Sequence, residues 1–195
     1  MGWNPYNAFS CSATEANYHA AAQSLLPSGV PALANFLHGL GLKFGVYSDG
    51  GYYSCDAVGG TAHNLGSLGF ETSDAASFAS WGADYLKYDN CFSIEVKEEL
   101  ANFLSSQLRD FEQTHYTAMR DALAATGRPI LFSACEWGVQ DPARWPGSAV
   151  ANSWRISNDI GPPASWDNLF RIINQIVPIT QFAGPGGFND LDMLE

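Results

Sequence analysis

The sequence predicts a (β/α) barrel, and two patterns along its 195 residues support this fold class. Short apolar strands alternate with amphipathic helices, and parallel strands need such helices as crossover connections. Polar and acidic residues gather where the strands end, which is the edge at which barrel proteins bind ligands. The glycine-rich loops carry neither a dinucleotide fingerprint nor a phosphate-binding Gly-Lys-Ser/Thr motif, so a barrel fits better than a doubly wound nucleotide-binding sheet.

The predicted elements alternate along the chain. Amphipathic periodicity predicts helices over 13–25, 30–40, 73–81, 95–125 (in two pieces) and 165–176. Apolar runs predict strands over 42–47, 129–133 and 153–157, and a further strand that starts at Tyr85. Residues 52–68 are rich in glycine and are expected to form a loop. The chain is long enough for one core, so residues 1–195 are expected to form a single domain.

Composition narrows the class of protein before any motif is considered. The chain is 46% hydrophobic and 13% aromatic with few charged residues, which indicates a globular protein with a packed core. A net charge of −11, with only 9 Lys and Arg residues, argues against nucleic acid as a partner, because phosphates need a basic surface. The sequence contains neither a membrane-spanning apolar run nor a secretory signal peptide.

Cysteine and histidine spacing gives no sign of a metal site. The four cysteines lack a CxxC pair and the four histidines are scattered, so neither set has the spacing of zinc ligands. We therefore expect no metal ion and no organic cofactor, and any chemistry would fall to the protein's own carboxylates.

The strand that begins at Tyr85 ends in a lysine, a carboxylate and a cysteine, and other strands also end in acids. Retaining glycosidases need two carboxyl groups about 5–5.5 Å apart, one as nucleophile and one as proton donor. Asp89 follows Lys87, whose ammonium would favour an ionised nucleophile. Asp159 follows Trp154 and Arg155, where an apolar neighbour would keep a carboxylic acid protonated near neutral pH. Spacing alone leaves five other acids in competition for these roles: Asp49, Asp84, Glu136, Asp190 and Asp192.

Six motifs, in order over nearly the whole chain, resemble the α-galactosidases, or melibiases, of glycoside hydrolase family 27. They are MGWN (1–4), GLKFGVYSD (41–49), WGADYLKYDNC (81–91), CEWG (135–138), SWR (153–155) with DI (159–160), and GPGGFNDLDM (184–193). Several long motifs in one order are far more specific than a single short pattern. The resemblance implies a (β/α)8 barrel and a retaining hydrolase that cleaves terminal α-D-galactosyl residues from galacto-oligosaccharides and galactomannans.

The resemblance also implies roles for individual residues. Asp89 matches the catalytic nucleophile and Asp159 matches the general acid/base. Glu136 favours a substrate with a free 2-hydroxyl, because the α-N-acetylgalactosaminidases of the family carry a small residue at this position. Tyr6 replaces a tryptophan of the N-terminal motif that lies under the sugar. The full set of matched substrate-binding candidates is Lys87, Glu136, Arg155, Asp192, Tyr47, Trp137 and Tyr6.

One cysteine pair matches a disulfide of the family. Cys55 and Cys91 correspond to a bridge that links the ends of two barrel strands, and such a bridge implies an oxidising compartment. The resemblance therefore implies a secreted, vacuolar or lysosomal protein.

The sequence departs from the family pattern in two segments. Between residues 25 and 26, family members carry a second strand that ends in Asp-Asp-Cys-Trp, a motif found nowhere in this sequence. The missing aspartates would bind outer hydroxyls of galactose, and the missing cysteine would pair with Cys11. The sequence also stops after the seventh-strand motif, so the eighth strand and the C-terminal β domain of the family are expected to be absent. Residues 1–195 are therefore expected to form a partial barrel with exposed strand edges.

Three functional interpretations remain open at this point. The favoured one is a fragment, or the product of an incorrectly spliced gene, of an α-galactosidase that keeps the catalytic pair. The second is a related family activity, either a β-L-arabinopyranosidase or an α-N-acetylgalactosaminidase, because the missing strand lines the pocket where such a change would lie. The third is a non-catalytic galactose-binding protein, which would have no need for both acids.

Overall fold

The computed structural model describes residues 29–58, 62–93, 105–145, 150–160 and 165–192, of which 56–58, 62–63 and 105–113 are described by their backbone alone. The helices are α1 Val30–Gly39, α2 Glu71–Ser80, α3 Ser105–Ala125 and α4 Trp166–Ile176. The strands are β1 Gly45–Asp49, β2 Tyr53–Val58, β3 Ala62–Leu65, β4 Tyr85–Asp89, β5 Leu131–Cys135, β6 Ser153–Arg155 and β7 Phe188–Asp190.

Five of the strands form one parallel sheet in the order β1-β4-β5-β6-β7. Asp49 lies opposite Asp89 in the register, and Asp89 lies opposite Cys135, so the strand ends are level. Parallel strands joined by helices are the architecture of a (β/α) barrel, and this part of the prediction is confirmed. Within the described residues β1 pairs with β4 alone and β7 pairs with β6 alone, so the sheet is a barrel segment with two open edges.

Side chains alternate between the two faces of this sheet, as the pleat requires. On β4, Tyr88 is fully buried on the helix side, where its ring meets that of Tyr116 from α3 edge-on. Lys87 lies on the opposite face, with its ammonium 5.9 Å from the centre of the Tyr47 ring. One face is therefore apolar and packs under the helices, while the other carries the polar groups of the strand ends.

The hydrophobic core lies between the sheet and helices α2 and α3. Each large side chain buried there contributes about 1.5–3 kcal/mol relative to exposure. The principal members are Phe78, Leu86, Tyr88, Tyr116, Met119, Leu123, Phe132 and Trp154.

Asp84 precedes β4 and therefore lies at the opposite end of that strand from Asp89. Its carboxylate accepts a hydrogen bond from the Phe44 N–H (2.9 Å) and contacts His38 Nε2 at 2.7 Å and Arg128 Nη2 at 3.0 Å. Burial alone would raise the pKa of Asp84, but the Phe44 N–H and His38 outweigh it and lower the pKa to about 2. The group ties the start of β4 to its neighbours, at the barrel end that serves stability.

The helices predicted over 30–40, 73–81 and 165–176 are confirmed as α1, α2 and α4. The Ser165 hydroxyl caps α4 by accepting a hydrogen bond from the Asn168 N–H (3.2 Å), and Asp167 lies in the first turn, where the helix dipole favours a negative charge. The predicted helix over 13–25 and the first part of that over 95–125 lie outside the described residues.

The strand predicted over 42–47 begins later, because residues 40–42 close helix α1. Gly41 adopts a φ of 74° there, and its N–H donates to the His38 carbonyl. The Leu42 N–H donates to the Leu37 carbonyl, which completes a Schellman motif and commits these residues to the helix end. The strand β1 follows at Gly45–Asp49.

The loop predicted over 52–68 is wrong. This segment contains the antiparallel pair of β2 and β3, with Val58 opposite Ala62. Two consecutive glycines lie between the two strands, and in a β-hairpin they are a turn signal rather than a sign of a long loop.

Candidate active site

The candidate site lies at the C-terminal ends of β1, β4, β5, β6 and β7. The level register of these strands brings polar residues from separate parts of the chain to one edge of the sheet. Of the predicted site residues, all but Tyr6 fall within the described part of the chain.

Asp89 ends β4, and three donors hold its carboxylate. The Tyr47 hydroxyl donates to Oδ2 (3.0 Å), and the Trp137 indole N–H donates to Oδ1 (2.9 Å). The backbone N–H of Asn90 also donates to Oδ1 (3.1 Å). Asp89 is only 7% exposed, so these bonds fix the direction of both oxygens. The sequence predicted Lys87 as its neighbour but did not anticipate the donation from Trp137.

Lys87 carries a positive charge beside this carboxylate. Burial disfavours the ammonium, but the negative charges of Cys135, once its thiol ionises at alkaline pH, and of the Asp89 carboxylate outweigh that effect and raise the pKa of Lys87 above its ordinary value. Lys87 therefore stays charged near neutral pH, as the sequence argument required.

Arg155 connects the second group of predicted residues. Its Nη2 lies 2.6 Å from Asp159 Oδ1 and 2.8 Å from Asp192 Oδ2, and its Nη1 donates to Cys135 Sγ at 3.5 Å. The Arg155 side chain is buried, whereas the Asp159 side chain is 76% exposed. The Nε of Arg155 is buried and has no hydrogen-bond partner among the described residues.

Trp154 does not provide the apolar environment that the sequence argument gave to Asp159. It packs in the core, where its indole N–H donates to Asn189 Oδ1 (2.7 Å), and Arg155 is the neighbour of Asp159 instead. The reason is the alternation along β6, which sends consecutive side chains to opposite faces.

Glu136 and Trp137 follow β5 on the same edge of the sheet. Glu136 is fully buried and its Oε1 accepts a hydrogen bond from the Gln140 N–H (2.9 Å). Trp137 adopts a φ of 65°, and a side chain at the next residue, Gly138, would collide with the Ile156 carbonyl oxygen. The backbone at Gly138 therefore approaches β6 closely and helps to set the position of Trp137.

The other acids that the sequence left as candidates for the catalytic roles lie at different places in the structure. Asp84 lies at the far end of β4, and Asp190 Oδ1 accepts a hydrogen bond from the Asp192 N–H (2.9 Å), so Asp190 orders the turn that carries Asp192. Asp192 adopts a φ of 89° there, and its Oδ2 also accepts a hydrogen bond from the Ile160 N–H (2.8 Å). Asp49 is bound by backbone N–H groups near the end of β1.

Cys135 lies among these groups although the sequence suggested no role for it. It is the free cysteine of the described residues. Burial, reinforced by the Asp89 carboxylate, raises the pKa of its thiol to about 12. The thiol is thus neutral near pH 7 and can lie between Arg155 and Asp89 without adding charge.

The predicted disulfide between Cys55 and Cys91 is present, with the two Cα atoms 5.1 Å apart. Within the described part of the chain, Asp49, Cys55 and Cys91 form the cluster of potential metal ligands, with their ligand atoms within 4.8 Å of one another. Because the two sulfurs are bonded to each other, this cluster offers no thiolate to a metal.

A cavity of about 320 Å³ lies between the residues after β5 and helix α4. Trp137 and Asn158 contribute to its wall, but Asp89 and Lys87 do not. The described helices include no segment that is both long and apolar enough to cross a membrane.

The fold and the acids at its strand ends place the chain among (β/α)-barrel proteins with a carboxylate-lined site at the C-terminal edge. The comparison with known families agrees, because the family described as "Alpha galactosidase A" (Melibiase_2) matches residues 7–195. The chain belongs to this family.

Relatives and solved structures resemble the chain closely. It is 42% identical to a probable alpha-galactosidase D from Aspergillus fumigatus, over all of this chain and 34% of that protein. Alpha-galactosidase I from Mortierella vinacea is 33% identical, with a TM-score of 0.73 over all of this chain and 59% of that one. An alpha-galactosidase from Saccharomyces cerevisiae, solved with raffinose, is 34% identical with a TM-score of 0.66, over 87% of this chain and 38% of that one. The chain thus spans about a third of the length of the fungal relative.

The alignment with the Aspergillus protein bears on the segment that the motif comparison found missing. It extends over 230 positions while this chain has 195 residues, which leaves about 35 positions of the relative without a counterpart here. A second barrel strand with its connection fits within such a length.

Proposed function

We propose that the protein containing this chain hydrolyses terminal α-D-galactosyl residues of galacto-oligosaccharides and galactomannans with retention of configuration. The observation that carries the proposal is the Asp89 carboxylate, which Tyr47 and Trp137 hold at the end of β4 beside the Lys87 ammonium. Membership of the family described as "Alpha galactosidase A" supports the choice of sugar. So does the related Saccharomyces structure with raffinose, an oligosaccharide that ends in an α-galactosyl residue.

In the first step Asp89 acts as the nucleophile. One of its carboxylate oxygens attacks the anomeric carbon, the bond to the leaving oxygen breaks, and Asp159 gives its proton to that oxygen. The product is a galactosyl ester of Asp89 with inverted configuration. The three hydrogen bonds to Asp89 hold the attacking oxygen in one direction, which is how a fixed nucleophile lowers the barrier.

In the second step Asp159 acts as a base. It removes a proton from a water molecule, whose oxygen attacks the anomeric carbon and releases Asp89, so the second inversion restores the original configuration. The high exposure of Asp159 suits this role, because the attacking water molecule must reach its carboxylate. The proton given up in the first step is thereby recovered.

Buried charged groups would bind the sugar hydroxyls. We assign this role to Lys87, Arg155 and Asp192, which surround the two catalytic acids, and to Glu136 as the group that recognises a free 2-hydroxyl. Tyr47 and Trp137 complete the set and touch Asp89 directly. Tyr6 is a further candidate outside the described residues.

We also propose that the protein works outside the cytosol, in a secreted, vacuolar or lysosomal compartment. The Cys55–Cys91 disulfide supports this location, because such bridges form and persist under oxidising conditions.

The direct test is hydrolysis of p-nitrophenyl α-D-galactoside by the chain, followed by NMR of the first anomer released. We expect α-galactose as the initial product and a loss of turnover of at least about 1,000-fold in Asp89→Asn, because the amide cannot act as the nucleophile. Full activity in Asp89→Asn, or β-galactose as the first product, would contradict the assignment.

Two further substrates separate the related activities of the family. p-Nitrophenyl β-L-arabinopyranoside and p-nitrophenyl α-N-acetylgalactosaminide are assayed under the same conditions. Preference for either over the galactoside would replace the proposed substrate, and binding of galactose by calorimetry without any turnover would indicate a galactose-binding protein.

A further inference from the structure

Asp49 is a fully buried carboxylate to which the proposed mechanism gives no role. It ends β1, directly opposite Asp89 in the register of the sheet. Its Oδ1 accepts a hydrogen bond from the Gly51 N–H (2.9 Å), and its Oδ2 accepts one from the Cys91 N–H (3.2 Å). Both carboxylate oxygens are thus used to hold backbone, one on each side of the gap between two strand ends.

The hydrogen bond from the Cys91 N–H to Asp49 bears on the site because Asp89 lies two residues before Cys91. The Asp89 carbonyl accepts a hydrogen bond from the Gly50 N–H (2.9 Å), so the chain is held at Asp89 and again two residues later. Asn90 lies between these two points, and its own N–H donates to Asp89 Oδ1. The Asp89 carbonyl and the Asn90 N–H belong to one planar peptide unit, so the bond from Gly50 sets the direction of that N–H. Asp49 holds both sides of this contact, Gly51 next to the donor and Cys91 after Asn90.

The segments that Asp49 joins are packed too closely to adjust. A side chain at Gly51 would collide with the Cys91 carbonyl oxygen and the backbone of Phe92, and one at Gly66 would collide with the Gly51 carbonyl oxygen. His115 is also buried, and its Nδ1–H donates a hydrogen bond to the Gly50 carbonyl (2.9 Å). These contacts hold the turn after β1 in one conformation. The hydrogen bond from the Cys91 N–H to Asp49 attaches the chain after Asp89 to this turn.

Only a carboxylate satisfies this arrangement. Two backbone N–H groups converge on two oxygens, whereas an asparagine would offer one oxygen and turn an NH₂ group towards the second N–H. No water can replace the lost acceptor, because Asp49 is wholly inaccessible to solvent.

We propose that Asp49 is a positioning residue for Asp89, which fixes the Asn90–Cys91 backbone and through it the direction of the Asp89 carboxylate. The inference rests on the nucleophilic role proposed for Asp89. The alternative is that Asp49 only stabilises the end of β1, as a buried carboxylate bound to backbone commonly does.

The chain offers a matched control in Asp84. It is also a largely buried carboxylate that accepts a backbone N–H bond, and it lies at the other end of the same strand, away from Asp89. Asp84→Asn should lower stability without affecting the site, so it reports what the loss of such a carboxylate does by itself.

The test combines a structural signal with kinetics on the full chain. The indole N–H resonance of Trp137, identified by its loss in Trp137→Phe, reports the hydrogen bond to Asp89 whether or not the chain is active. We expect Asp49→Asn to shift this resonance and to lower kcat by about 10–100-fold with KM changed less than about threefold, since misplacing a reactive group mainly affects the chemical step. Asp84→Asn should change neither.

Each outcome decides the inference. An unshifted Trp137 resonance in a folded Asp49→Asn variant, or a shifted one with unchanged kcat, overturns the positioning role. A wild-type chain that hydrolyses no glycoside contradicts the proposed function, and the Trp137 resonance then decides the role of Asp49 alone. If Asp49→Asn does not fold, Asp49→Glu replaces it, because the longer side chain keeps both acceptors but displaces the backbone that they hold.

Discussion

The two acids assigned to catalysis differ sharply in their surroundings. Asp89 is 7% exposed and accepts three hydrogen bonds, whereas the Asp159 side chain is 76% exposed and contacts one guanidinium. A nucleophile gains from a fixed direction, while an acid/base must be reached by the leaving oxygen and then by the water molecule that it deprotonates. The difference in burial therefore matches the two proposed roles, although the apolar neighbour that the sequence argument expected for Asp159 is not there, because Trp154 packs in the core.

The two proposed roles predict products of opposite anomeric configuration when azide is added to two variants, Asp159→Ala and Asp89→Gly. In Asp159→Ala, azide needs no base to attack the galactosyl ester, so turnover that has fallen about 100–10,000-fold should recover and yield α-galactosyl azide. In Asp89→Gly, azide takes the place of the nucleophile and should yield β-galactosyl azide. NMR of the two products is the measurement. The same anomer from both variants would contradict the assignment of the two roles.

Among the secondary-structure elements, strand β4 carries a residue with a structural role at its start and the proposed nucleophile at its end. Asp84 at its start is held by Phe44, His38 and Arg128, while Asp89 at its end faces the site. The strand is thus anchored at the end that lies away from the candidate site.

The lowered pKa of Asp84 predicts how this anchor responds to acid. The folded pKa of about 2 lies below the ordinary value of 3.8, so the carboxylate stabilises the fold above pH 3.8 and loses that contribution as the pH falls towards 2. Asp84→Asn should lower the free energy of unfolding by about 1–3 kcal/mol at pH 7, because hydrogen bonds to a charged group are lost. Thermal melts of both proteins between pH 2 and 6 test this. A difference in Tm that stays constant down to pH 2 would contradict the linkage.

The disulfide next to the site supplies a second element-scale prediction. Cys55 and Cys91 are 36 residues apart, and closing a loop of that length in the unfolded chain stabilises the fold by about 3–4 kcal/mol. Dithiothreitol, or the double variant Cys55→Ser with Cys91→Ser, should lower Tm by several degrees. Adding dithiothreitol to the double variant is the control, and it should have no further effect. An unchanged Tm on reduction would show that the bridge adds no stability.

The elements that the sequence predicted well are those with a strong local pattern. Strand β4 and helices α1, α2 and α4 combine an apolar face with clear boundaries, and local patterns suffice for them. The hairpin of β2 and β3 was missed because glycine pairs occur in both loops and tight turns.

Within the site, the motifs indicated which residues gather at the strand ends, but their hydrogen bonds depend on register. The donation from Trp137 to Asp89 crosses from the end of β5 to that of β4, and the Asp49–Cys91 bond crosses from β1 to β4. Residue spacing along the sequence does not reveal such contacts, because they join residues of separate strands.

At the scale of the molecule, the described sheet leaves apolar surface near both of its edges. Phe36 on α1, which precedes β1, and Leu40 directly after this helix are more than half exposed. On α4, which precedes β7, Trp166 and Phe170 are also more than half exposed, with their rings 6.0 Å apart. Phe188 on β7 itself is exposed as well. Open strand edges beside such surface are favourable sites for association with another chain.

We therefore expect the 195-residue chain to self-associate at micromolar concentration. Size-exclusion chromatography with light scattering over a range of concentrations is the measurement. The double variant Trp166→Ser with Phe170→Ser should shift the distribution towards monomer with little change in Tm, because both side chains already contact solvent in the folded chain. Leu86→Ser is the matched control: it removes a fully buried side chain, so it should lower Tm and increase association rather than reduce it. A monodisperse wild-type monomer with one sharp two-state melt would contradict the expectation, since it would mean that the open edges are already protected.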